Sequence, residues 1–143
     1  MTDRGYLLDT NVVSESTHAR PDARVSAFLD RVPREMAFLS VLTIGELRKG
    51  VEIRRRHDQV HAERLSAWVD GLEEIYADAL LPVDSTIASL WGRLAANRPR
   101  PVVDTLLAAT AINRGLTLVT RNVRDIADTG VVWIDPWQDE SSP

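Results

Sequence analysis

Residues 6–15 read YLLDTNVVSE. Three bulky apolar residues, Tyr6, Leu7 and Leu8, run directly into Asp9, and Thr10 and Asn11 follow. The run is short and continuous, the pattern of a strand buried on both faces rather than one that alternates with solvent. A carboxylate at the end of such a strand is costly to desolvate alone. Asp9 therefore requires a cap, a charged partner or a metal ion.

Outward from this stretch the same type of run recurs as AFL (37–39), LLPV (80–83), LTLV (116–119) and VVWI (131–134). Helical patterns lie between them. Val25, Phe28, Leu29 and Val32 follow i, i+3, i+4, i+7, with Pro21 near the helix start. A longer stripe joins Leu65, Trp68, Val69, Leu72, Ile75 and Tyr76. Ile87, Leu90, Trp91, Leu94 and Ala95 form another, with Asp84 as its expected N-cap. The segment from Asp104 closes at Gly115, a residue suited to a helix C-terminus. Strands alternating with helices predict a three-layer α/β domain with a mainly parallel central sheet flanked by helices. One domain is expected over 1–143, with a core from about 5 to 137 and a frayed QDESSP tail. Trp68, Trp91 and Trp133 are expected in the core.

The chain has 143 residues, no cysteine and a formal net charge of −4. Disulfides, thiol catalysis and cysteine-based zinc sites are excluded. No apolar run reaches the length of a membrane span, and Asp3 precedes any apolar stretch, so a cytoplasmic protein without a secretory leader is expected. The overall acidity does not announce a nucleic-acid binder. Basic charge is nevertheless local: RKGVEIRRRH (48–57) contains five Arg and Lys residues, and Arg98 and Arg100 flank Pro99.

In open parallel sheets, ligands bind beyond the carboxyl ends of the strands. Asp9 ends the first run, and TRNVRD follows the LTLV run. Two further acids stand at or near helix starts. Glu46, in SVLTIGELRKG, also fits a capping box with Thr43, and Asp104 is favoured by the helix dipole. Asn122 and Asp125 can equally be turn and loop residues. Taken together, Asp9, Glu46, Asp104 and Asp125 can converge in this architecture. Two carboxylates about 5 Å apart at an effective dielectric near 20 repel by roughly 3 kcal/mol. Four would bind a hard divalent cation through oxygen, and such a cation activates water and neutralises charge on a phosphoryl group.

The ordered blocks LLDTNVVSE, SVLTIGELRKGV, PVVDTLLAATAINRGLTLVTRNVRDI and GVVWIDPW resemble PIN-domain ribonucleases, most of all the VapC/FitB-type toxins of bacterial toxin–antitoxin pairs. The resemblance runs from Tyr6 to Trp137. It implies a hydrolase that cuts RNA, with Asp9, Glu46 and Asp104 holding Mg²⁺ or Mn²⁺. Many relatives carry an aspartate near the place of Asn122; here Asp125 is favoured as the fourth acid, with Asn122 a neutral neighbour. Asn11 and Thr120 match polar positions around the same site. The resemblance further implies a cognate VapB-like antitoxin and a toxin homodimer. Arg48, Arg98 and Arg121 are candidates for contact with the RNA backbone.

His57 and His61 are spaced i, i+4 for one helix face, but a zinc site would need a third ligand. Acid-cluster phosphatases need a second acid two residues after the first, where this chain has Asn11. A catalytically inactive PIN-like scaffold, binding RNA or protein, would be expected to have lost one of the four acids.

Overall fold

The computed structural model describes residues 4–138. Asp3 and all but the first residue of the QDESSP tail lie outside the described residues. Five strands form one sheet: β1 (Tyr6–Leu8), β2 (Ala37–Ser40), β3 (Leu80–Leu81), β4 (Thr117–Val119) and β5 (Trp133–Ile134), in the order β3-β2-β1-β4-β5 and parallel throughout. Among the described residues six α-helices connect them: α1 (Thr10–Ser14), α2 (Ala23–Arg31), α3 (Val41–Arg55), α4 (Gln59–Ile75), α5 (Ser85–Asn97) and α6 (Val102–Arg114). Among the described residues no helix is long and apolar enough to cross a membrane.

The continuous apolar runs follow from burial on both faces. Leu8 and Val119 point into one cluster with Val12, Val25, Phe28, Leu39, Val51 and Val69. Their neighbours Leu7 and Leu118 point into a second cluster, with Leu107, Ala108, Ala111 and Ile126. Consecutive strand side chains alternate faces, so a strand covered twice must be apolar at every position. Removing most of a side chain such as Leu7, which is completely buried, would cost about 2–5 kcal/mol. Gly5 precedes β1 because nothing larger fits: an added Cβ would lie 2.7 Å from the Phe38 ring.

Local signals set the helix ends. Asp84 caps α5 by accepting from the Ile87 amide, and Gly115 ends α6 at φ 67°, a left-handed conformation that costs glycine little. Asp22, one residue after Pro21, caps α2, which stops at Arg31; Val32 still packs against the core.

Three expectations are corrected. Glu46 is not part of a capping box: α3 begins at Val41, its cap is Ser40, which accepts from the Leu42 amide, and Thr43 is buried inside the helix. His57 and His61 do not share a helix face, because α3 ends at Arg55 and Asp58 starts a new helix before His61. Trp133 is 40 % exposed, since β5 is an edge strand of two residues and this side chain points away from both clusters. Trp68 does pack against the first cluster.

Candidate active site

The chain builds outward from β1 to β3 on one side, then crosses over to place β4 and β5 on the other. Strand order therefore reverses between β1 and β4, and such a switch point opens a crevice at the carboxyl ends of the strands. Leu8 pairs with Val119 in register. The next residue on each strand is Asp9 and Thr120, which brings the ends of two distant segments side by side.

Asp9 is 4 % exposed. One carboxylate oxygen accepts from the Thr10 amide at 2.6 Å and the other from the Thr120 hydroxyl at 2.7 Å. The residue caps α1, and its backbone amide donates to Val119 O at 2.9 Å. Burial pushes its carboxyl up from the ordinary value, the two hydrogen bonds pull it back, and the charge of Glu46 raises it again. Asp9 is thus both a cap and a member of a charged cluster.

Glu46 reaches the same place from α3. Its Oε1 accepts from the Thr10 hydroxyl at 2.5 Å, and that hydroxyl stands 3.3 Å from the hydroxyl of the fully buried Thr43. Asp104 enters from the first turn of α6. Its carboxyl is pushed up to about 6, first by burial and then by the charges of Asp9, Asp125 and Glu46, with a hydrogen bond from the Asn122 side chain acting in the opposite direction. Asp125 lies on the 3-10 turn Val123–Asp125, and the Asn122 amide that precedes this turn donates to Thr120 Oγ1 at 3.0 Å. Asp104 therefore lies within electrostatic reach of three acids from three other segments, and Asp9 also within reach of Glu46.

Among the described residues no three His, Cys, Asp or Glu side chains form a ready-made metal cage. The donor set nonetheless fits a hard cation. It consists of carboxylate oxygens that disfavour one another's charge, and the amide oxygen of Asn11, next to Thr10, is buried without a hydrogen-bond partner. A cleft of about 300 Å³ lined by Leu8, Leu29, Trp68 and Leu72 contains none of the acids and is not the site of this chemistry.

The expected arginines divide. Arg48 lies two residues from Glu46 on α3, on a different helix face, and donates to Asp70 and Glu73 of α4, both at 2.6 Å. It ties two helices together. Arg98 is forked onto Asp128 but stands within electrostatic reach of Asp125. Arg121 is exposed immediately after Thr120, its guanidinium 4.8 Å from the Trp137 ring centroid. Sequence reasoning missed Thr10 and Thr43; their hydroxyls become meaningful only once α3 is seen to start at Val41.

A family model described as PIN domain matches residues 6–131. Toxin FitB of Neisseria gonorrhoeae is 32% identical over 93% of this chain and 99% of its own length. VapC ribonuclease Y4jK of Sinorhizobium fredii is 31% identical over 92% of this chain and 97% of its own. The crystal structure of FitAcB from Neisseria gonorrhoeae superposes with a TM-score of 0.80 at 32% identity, covering 92% of this chain and 98% of that one.

Proposed function

This chain belongs to the PIN-domain family, and from that premise we propose that it is a Mg²⁺- or Mn²⁺-dependent ribonuclease toxin, neutralised by a cognate VapB-like antitoxin. The observation that carries the reading is the set of four acids, Asp9, Glu46, Asp104 and Asp125, around the switch point of the sheet, with Asp104 raised by burial and then by the charges of the other three. Similarity to a protein named as a toxin and to one named as a VapC ribonuclease supports the toxin and ribonuclease parts. The homodimer and the cytoplasmic setting belong to the same proposal.

In this reading the four carboxylates would hold the cation, and three of them have a neighbour that orients them. Thr120 and the Thr10 amide fix Asp9, the Thr10 hydroxyl fixes Glu46, and the Asn122 side chain fixes Asp104. Every oxygen that accepts one hydrogen bond retains a second lone pair for a ligand. When bound, the cation supplies activation of water and neutralises charge developing on the phosphodiester. Asn11 orients water or a phosphate oxygen, and Arg121 contacts the RNA backbone. An acid-cluster phosphatase lacks its second acid at Asn11, and an inactive scaffold has no need of four coupled acids.

Cleavage of RNA should cease in excess EDTA and return on addition of Mg²⁺ or Mn²⁺. Undiminished cutting in chelator would overturn the metal-dependent mechanism. Hydrolysis of a phosphomonoester in place of RNA would favour the phosphatase.

A further inference from the structure

The connection between α5 and α6 contains RPRP, residues 98–101. A residue before proline is disfavoured in the helical region, so Pro99 and Pro101 bias both arginines toward extended backbone; Arg98 has φ −162° and ψ 161°. Both guanidinium groups converge on Asp128. Arg98 donates from Nε and Nη2 at 2.9 and 3.0 Å, and Arg100 from Nη1 at 2.7 Å.

Arg100 does more than pair. Its side chain is completely buried, it donates from Nε to Leu94 O at 3.0 Å, and its Nη1 lies 3.4 Å from Asp125 O. Asp125 and Asp128 end or centre two successive 3-10 turns, Val123–Asp125 and Ala127–Thr129. Single turns of this kind have little stability of their own. The position of Asp125 therefore depends on what grips them, and the buried fork of Arg100 grips both. A lysine could supply the charge there but not the fork.

We propose that Arg100 and Asp128 are positioning residues that clamp the turn carrying Asp125, and so set how tightly the acidic cluster takes Mg²⁺ or Mn²⁺. This deepens the metal-site reading above and rests on it. Two positive charges against one negative leave the clamp with one net positive charge beside Asp125. The clamp thus holds the fourth acid in place and also moderates the repulsion it brings.

The test is calorimetric titration of the full chain with Mn²⁺, alongside circular dichroism in metal-free buffer. Asp128→Asn and Arg100→Lys should stay folded and bind Mn²⁺ about tenfold more weakly, the scale expected when a partner of a metal ligand is lost. Asp70→Asn breaks an exposed ion pair with Arg48 elsewhere and should leave the affinity unchanged; equal weakening there would mean a general loss of stability and overturn the clamp. Asp125→Asn reports on the underlying reading. If it or the wild type gives no metal-dependent difference, the four-acid site itself fails, and the clamp with it. If Asp125→Asn binds weakly while both clamp variants titrate as wild type, the clamp alone is overturned. Unfolding of both clamp variants would make them a folding brace and overturn it as well.

Discussion

The hydroxyl of Thr120 donates to the Asp9 carboxylate at 2.7 Å across 111 residues of sequence. The same oxygen accepts from the Asn122 amide at 3.0 Å. Thr120→Val keeps the shape and removes both bonds, leaving a buried carboxylate oxygen without its donor. The variant should lose about 1–3 kcal/mol of stability, while Thr120→Ser should restore most of it. Urea denaturation of the three proteins checks the ranking.

Thr10 orients Glu46 through its hydroxyl, whereas its backbone amide serves Asp9. Thr10→Val removes the hydroxyl's contacts with Glu46 and Thr43 and leaves the amide on Asp9. RNA cleavage should fall about 10–100-fold, in line with the loss of a group that orients a metal ligand, and Thr10→Ser should recover it. Equal activity of Thr10→Val and wild type, measured at several Mn²⁺ concentrations, would remove Thr10 from the site.

Asp104 gives a pH signature. Its carboxyl has an ordinary value of 3.8 and is pushed up to about 6 in the folded chain. The folded state therefore holds this proton more tightly than the unfolded state. The stability it contributes is complete below pH ~4 and is lost as pH rises through about 6. Asp104→Asn removes this loss and keeps an oxygen that can accept from Asn122. In EDTA the variant should melt above wild type at pH 7, and the gap should shrink as pH falls toward 4. Added Mn²⁺ should stabilise wild type more than the variant, and cleavage by the variant should collapse. A gap that widens on acidification would refute the electrostatic account of the cluster.

The sheet was legible because parallel strands buried on both faces must be apolar throughout. YLL, AFL and LTLV could serve as little else, and Asp84 and Gly115 marked helix ends by chemistry that operates within a few residues. Glu46 was harder. T-x-x-E is a real capping signal, and only the serine three residues upstream, at the end of β2, decides against it. Trp133 failed for a different reason: its hydrophobicity is plain, but its place on an edge strand depends on which strands pair. The convergence of the acids has the same origin, since it follows from the register of Leu8 with Val119. No local pattern encodes a pairing between residues so far apart. Arg100 was invisible as a positioning residue because its target, Asp128, is visible only in space.

The crossover that seats β4 beside β1 also has a temporal meaning. A ribosome makes this chain from the amino end, and a domain generally folds as a unit. Asp9, Glu46 and Asp104 are all made before Thr117–Val119, the strand that completes the crevice, and Asp125 comes later still. A nascent chain that ends before β4 lacks both the wall of the crevice and its fourth carboxylate. The site proposed here is therefore incomplete until the last strands of the sheet have been made.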